Sequence, residues 1–192
     1  MTALAFIDTE TTGLSPTAHE VWEFAAVLAN HDGDTLTVTD TIHLDITVSL
    51  RTSEPGALRI GGYYARRDGS RLPGARLCSP EMAAPEIARA TADRHIVAAN
   101  PAFDVAFLEQ LLRRHDQGPA WSYHLIDVSP LVAGYLAARG CDDNVNVAPY
   151  RSRELATALG VDVSDDDRHT ALGDARWVLR QYATVYGLEV IE

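Results

Sequence analysis

Leu4-Ala5-Phe6-Ile7-Asp8-Thr9-Glu10-Thr11-Thr12-Gly13 is a short apolar run that passes directly into acid and threonine. Four apolar residues closed by a polar turn read as a buried strand. Asp8 and Glu10 stand two apart at its end, and the period-two geometry of a strand points both carboxylates to one face. Two such carboxylates repel each other and are costly on an apolar strand unless a cation lies between them. A metal ion is the natural partner, and Gly13 permits the next turn to approach a ligand closely. An acidic turn at a sheet edge would produce the same ten residues, so this stretch alone leaves both readings open.

Two more acids favour metal. Asp104 precedes Phe107, Leu108 and Leu111 by three, four and seven residues, so it lies over the apolar face of a helix. A charge placed there is paired, caps the helix or binds metal. Asn100 followed by Pro101 is expected to supply the N-cap, which weakens the capping alternative. The third acid belongs to His169-Thr170-Ala171-Leu172-Gly173-Asp174, where Asp174 precedes apolar Val178 by four residues at the start of a helix. Acid and base come together in that segment.

The rest of the chain supplies a scaffold. A strand from about Val21 to Ala29, the turn His31-Asp32-Gly33-Asp34 and the Thr- and Val-rich stretch from Leu36 to Val48 predict a meander. From Ser53 to Pro80 the breakers Pro55-Gly56, Gly61-Gly62, Asp68-Gly69 and Pro73-Gly74 predict a short helix followed by an irregular loop. That loop holds Arg59, Arg66, Arg67, Arg71 and Arg76 beside Tyr63 and Tyr64. It reads either as a surface that meets phosphates and stacks on bases or as a solvated, mobile connection. His95 to Ala99 is a further strand, and the helix after it runs to about His115. Leu125-Ile126 is a short strand, and helices are expected around Leu131 to Ala138, over Ser152 to Leu159 with Ser152 as cap, and over Ala171 to Tyr186. Strands first, then strands alternating with helices, predict a mixed-sheet α/β domain.

At 192 residues the chain is expected to be one domain, and 46% hydrophobic with 22% charged residues is ordinary for a globular protein. No window approaches the roughly 18 apolar residues of a membrane span, and the N-terminus lacks the basic start of a signal peptide, so a cytoplasmic protein without a membrane partner is expected. Cys78 and Cys141 are too few for a disulfide framework and too far apart for a zinc knuckle. All sixteen basic residues are arginine. Without lysine the chain cannot form a phosphate-loop NTPase or a Schiff-base enzyme. The net charge of -11 disfavours broad adhesion to nucleic acid or anionic membrane, yet a site that concentrates carboxylates around metal contributes to such a balance. A haloacid dehalogenase-type phosphatase also opens on a strand ending in two acids, but Glu10 and the missing lysine exclude it.

The three segments, taken together, resemble the exonuclease motifs of the DnaQ-like, DEDDh-type 3′→5′ exonucleases. Phe6 to Leu14 is similar to the first motif, Asn100-Pro101-Ala102-Phe103-Asp104-Val105-Ala106-Phe107-Leu108 to the second and His169 to Ala175 to the third, in the family's order over nearly the whole chain. The resemblance implies a ribonuclease H-like fold with a five-stranded mixed sheet, one exonuclease domain over residues 1–192 with an Arg-rich loop or insertion at about 59–78, and two Mg2+ ions for which Mn2+ can substitute. It implies that Asp8, Glu10 and Asp174 hold one ion at the attacking water, that Asp8 bridges to a second at the leaving oxygen, and that Asp104 completes the site. His169 takes the proton, a task suited to a group with a reference pKa of about 6.5. Thr9, Thr11, Gly13, Leu14, Asn100 and Phe103 meet the terminal nucleotide, with Leu14 as a wedge against its base. The partner implied is a nucleic acid 3′ end, single-stranded DNA first, and the product a nucleoside 5′-monophosphate.

The chain departs from the family at Ala99, where many members carry histidine. Among the remaining candidates, Glu23 is read as a group behind the site, Asp127 as a turn or cap, and Asp165-Asp166-Asp167 as a solvated loop. His19, His31, His43, His95, His115 and His124 are read as surface or capping groups. An RNA 3′-end processing enzyme, a polymerase proofreading subunit and an inert nucleic-acid-binding module are the alternatives. Proofreading subunits commonly use a segment beyond the nuclease domain as a tether, and Ala175 to Glu192 is expected to be consumed by one helix and a short end. A polymerase contact through such a tail is therefore not expected, and digestion is expected to be distributive.

Overall fold

Leu4 to Ile7 are all buried, so the first strand is covered on both faces and lies inside the sheet. The computed structural model describes residues 1–141, 148–162 and 169–192. In chain order the strands are β1 (Thr2–Thr11), β2 (Val21–Asp32), β3 (Thr35–Ile46), β4 (Arg76–Cys78), β5 (His95–Ala98), β6 (Ile126–Asp127) and β7 (Glu189–Ile191). The helices are α1 (Pro55–Ile60), α2 (Pro80–Thr91), α3 (Pro101–Arg114), α4 (Val128–Ala138), α5 (Ser152–Leu159) and α6 (Ala171–Tyr186). Strand order is β4-β3-β2-β1-β5-β6, with β7 on β3. The meander β1-β2-β3 is antiparallel, while β5 on β1 and β6 on β5 are parallel.

Helices cover both faces. Leu4 and Phe6 of β1 pack with Val128, Val132 and the α6 residues Ala175, Val178 and Tyr182. Ala5 and Ile7, one residue out of phase, pack with Ile87 of α2 and Phe107, Leu108 and Leu112 of α3. β2 is buried on both faces from Val21 to Ala29, the usual state of a central strand. Phe6 is fully buried and meets the Tyr182 ring edge-on at 5.4 Å, so its truncation to alanine would cost about 3–5 kcal/mol.

The expected five strands are β3-β2-β1-β5-β6, and the three-residue strands β4 and β7 add to β3 to make seven. The short end after Gly187 is therefore ordered, since Glu189, Val190 and Ile191 pair with Thr35, Leu36 and Thr37. α2 was not evident in the sequence. Its apolar residues are mostly small alanines, and Pro85 lies in its interior. Two caps also differ from expectation. Asn100 adopts a left-handed backbone (φ 62°, ψ 57°) and makes no side-chain cap bond to α3, and Ser152 is the first residue of α5 rather than its cap. Asp127 does cap α4, accepting the Ser129 N–H at 3.0 Å. The expected solvated loop at Asp165-Asp166-Asp167 lies outside the described residues.

Candidate active site

The register of the meander sets the floor of the site. Glu10 pairs with Glu23 and Glu23 with Asp45, so one row across three strands carries three acids on the α6 face. The row beside it is Asp8, Ala25 and His43. Asp104, in the first turn of α3, approaches from the other helical layer. Thr9, which points to that side of β1, donates its hydroxyl to Asp104 Oδ1 at 2.7 Å. Asp174 sits in the first turn of α6, whose N-cap Thr170 accepts the Gly173 N–H at 3.0 Å. His169, immediately before that cap, has a left-handed backbone (φ 57°) and donates its N–H to Asp174 Oδ2 at 3.0 Å. Non-glycine residues in that conformation are uncommon and cluster where geometry is demanding.

Glu10, His169 and Asp174 each offer a ligand atom, and these atoms lie within 4.8 Å of one another. Neighbouring charges show what this cluster lacks. Burial pushes the Asp8 carboxyl well above its ordinary range, and repulsion from Asp104, Asp174 and Glu10 adds to it. Glu10 is pushed up to about 8 by burial and by Glu23, against the pull of Arg66. Asp104 is pushed up to about 7 by burial, although the Thr9 hydroxyl and the backbone N–H groups of Asp104 and Thr9 pull it down. Acids raised together in this way are short of positive charge, and four carboxylates with one imidazole are a donor set suited to hard divalent cations such as Mg2+ or Mn2+.

Glu23 is a different case. Burial works to raise it, but hydrogen bonds from His43 and Arg66 prevail and hold it below its ordinary range. It is fully buried, bonded to His43 Nε2 at 2.8 Å, ion-paired with the Arg66 guanidinium, and an acceptor for the Ala171 N–H at 3.2 Å. It therefore ties β2 and β3 to the N-terminus of the helix that carries Asp174. Asp45 is likewise buried and paired with Arg67, and it accepts the Leu72 N–H at 2.9 Å. Arg76 pairs with Glu86. Three arginines of the 59–78 loop are thus paired with carboxylates of the protein itself, an anchoring role that neither reading of the segment anticipated. Arg59 and Arg71 remain exposed.

The loop also walls the site. A Cβ added at Gly61 would collide with Glu10 Oε2, so glycine lets the end of α1 close over that carboxylate without displacing it. Gly13 proves to serve its own turn. A Cβ there would fall 2.4 Å from the ring of buried His19, whose Nδ1 accepts the Ser15 N–H at 2.9 Å. Of the other expected nucleotide contacts, Leu14 and Asn100 are exposed, Thr11 turns its hydroxyl to Gly13 O at 2.8 Å, and Phe103 packs on Phe107 at 4.9 Å. His43, Gly61 and the anchoring roles of Arg66 and Arg67 escaped the sequence reading. Their signal was present: Glu23 and Asp45 interrupt apolar strands, and two adjacent arginines follow.

No protein-family model and no curated protein matches the chain. Solved structures do. The chain is similar to E. coli exonuclease I in complex with a dT13 oligonucleotide (TM-score 0.74, 20% identity, 96% of this chain and 41% of that chain). It is also similar to the zinc-bound form of the E. coli exonuclease I–single-stranded DNA complex (TM-score 0.76, 20% identity, 97% and 41%). A product-bound exonuclease I gives a TM-score of 0.73 at 20% identity, covering 98% and 44%. The chain spans about two fifths of the length of these proteins. No helix among the described residues is long and apolar enough to cross a membrane. Over nearly its whole length, the chain has the mixed-sheet, ribonuclease H-like fold found in exonuclease I.

Proposed function

We propose that the chain is a metal-dependent 3′→5′ exonuclease that removes nucleoside 5′-monophosphates from a single-stranded DNA end. The observation that carries this reading is the convergence of Glu10, His169 and Asp174 within 4.8 Å, from β1 and from the start of α6, beside Asp8 and Asp104. Asp8, Glu10, Asp104 and Asp174 would hold two divalent ions. Those ions supply charge neutralisation at the phosphate and activation of the attacking water. His169 stands at the solvent side of the cluster, its main chain fixed to Asp174, and a ring nitrogen there accepts the proton of the attacking water. Thr9 holds Asp104 in place, and Glu23 anchors the turn that presents His169 and Asp174. Leu14, exposed beyond the first motif, would wedge against the terminal base.

The relatives in complex with dT13 and dA16 oligonucleotides favour DNA as substrate. The test is digestion of matched single-stranded DNA, duplex DNA and RNA, each labelled at the 5′ end, with Mg2+ or with chelator. A ladder of shortening labelled products on single-stranded DNA, lost in chelator, is the expected result. Preference for the RNA would assign the chain to RNA 3′-end processing, and internal cuts or no product would overturn the exonuclease reading.

A further inference from the structure

Two strands away from Asp8, on the same face of the sheet, the floor changes from acid to base. The row Asp8, Ala25, His43 crosses β1, β2 and β3, and neighbouring strands lie about 4.8 Å apart, which places His43 on the order of 10 Å from Asp8. Above His43 opens a groove of about 320 Å3, lined by His43, Arg66, Thr170, Gly173, Arg176 and Arg180. Gly173, Arg176 and Arg180 are three and four residues apart and so form one stripe of α6, the helix whose Asp174 faces the carboxylates. Arg66 is committed to Glu23, but Arg176 and Arg180 are exposed and their guanidinium groups have no ion pair or hydrogen-bond partner among the described residues. The groove continues along α6 as a second cleft of about 460 Å3, lined by Arg176 and Arg180 together with Val27, Val38, Leu179, Val190 and Glu192.

A chain with a formal charge of -11 has here an open channel with two exposed guanidinium groups that have no ion-pair partner among the described residues, over a partly apolar floor. Guanidinium offers planar paired donors that match phosphate oxygens. An apolar floor beside it suits a sugar or base. We propose that this groove binds the phosphodiester backbone of the substrate strand, one or more nucleotides back from the 3′ end, and leads that end toward Asp8 and Glu10. The inference rests on the exonuclease reading for the identity of the strand. It commits Arg176 and Arg180, and not the arginines of the 59–78 loop, as the cationic contacts.

The test is binding of a 5′-fluorescent deoxythymidine 12-mer in chelator, where no digestion occurs, as a function of salt. The proteins are the wild-type chain, Arg176→Ala/Arg180→Ala and Arg176→Lys/Arg180→Lys. The double alanine variant is expected to bind roughly tenfold more weakly at low salt. The slope of log affinity against log salt should fall by about 1.4, the value for two phosphate contacts on a single strand. The lysine variant should keep most of the slope. Both side chains are exposed, and a melting curve shared with wild type excludes a folding effect. Unchanged affinity and slope in the alanine variant would overturn the groove. Hydrolysis by wild type of the small chromogenic diester thymidine 5′-p-nitrophenyl phosphate separates the two claims, because that ester needs only the carboxylate site. An ester cleaved by a protein whose oligonucleotide affinity ignores Arg176 and Arg180 refutes the groove alone. An ester left intact, with oligonucleotide affinity that depends on both arginines, refutes the nuclease reading and leaves the groove as a backbone site.

Discussion

Asp8, Glu10, Asp104 and Asp174 are held by different neighbours, yet removing any one of their charges should have the same two consequences. Asp8→Asn, Glu10→Gln, Asp104→Asn and Asp174→Asn should each lower metal-dependent digestion by about 100-fold or more, because each carboxylate neutralises or positions divalent charge. Their metal-free folds should be as stable as wild type or more so, since acids raised by burial and mutual repulsion are relieved when one becomes neutral. Four variants grossly destabilised in chelator melts would make these acids structural and remove the basis of the reading. His169→Ala separates two roles its position permits. As proton acceptor it should lose about 100- to 10,000-fold in kcat with metal affinity nearly kept. A rise in the Mg2+ or Mn2+ requirement equal to the loss of rate would instead make it a ligand. Short-range rules single out the four acids in the sequence, by period two on a strand for Asp8 and Glu10 and by a helix face for Asp104 and Asp174. The role of His169 comes instead from the family resemblance, and the structure brings Glu10, His169 and Asp174 together. The argument that Asn100 caps α3 was wrong in detail, since its side chain makes no such bond, and what fixes Asp104 is Thr9, ninety-five positions away. Nothing local in the sequence could announce that contact.

Strands and helices with their own periodicity were legible, and the segments between them were not. β3, α3, α5 and α6 lie near their expected bounds because apolar spacing and glycine stops mark them, as Gly160 and Gly187 do with left-handed backbones, whereas β1 runs from Thr2 to Thr11, through acids and threonines read as a turn. The Arg-rich segment has no period, and its order comes from long-range ion pairs to Glu23 and Asp45. Two substitutions test what those connections do. Glu23→Gln keeps the shape but removes the charge that Arg66 and His43 share, and it should cost about 3 kcal/mol, the low end for breaking a buried pair because Arg66 is partly solvated. Urea melts read this directly, and a loss under 1 kcal/mol would show that the network is not what joins β2 to α6. Gly61→Ala should leave the fold nearly intact and reduce activity. Its Cβ would collide with Glu10 Oε2, the free end of a side chain that can swing away, so the acid moves before the backbone does. The measurement is kcat at saturating Mg2+ beside the melting temperature. Normal turnover would mean that Glu10 can move aside at the wall of α1 without loss of function.

The same cluster that makes the site also shapes how the whole chain responds to pH. Glu10, ordinarily near 4.5, titrates near 8 in the folded protein and Asp104, ordinarily 3.8, near 7, with Asp8 raised as well. Between about pH 4 and 8 the folded state therefore holds protons that the unfolded chain releases. Stability then falls as pH rises, and the contribution is fully present below the ordinary carboxylate range and lost through 7 to 8. Glu23 runs the other way, because its lowered value adds stability above its ordinary range that disappears only on strong acidification. In chelator the melting temperature should be highest near pH 5 and drop by a few degrees by pH 8. Divalent metal competes with those protons for the same oxygens, so it should restore stability most where the protons have left. At 100 times its dissociation constant one ion adds about 2.7 kcal/mol, a gain that should be large at pH 8 and small at pH 5. Scans with and without Mg2+ across that range check both halves of the argument. A chelated protein whose melting ignores pH, or a metal-induced rise of equal size at pH 5 and pH 8, would show that Asp8, Glu10 and Asp104 do not share a cation site.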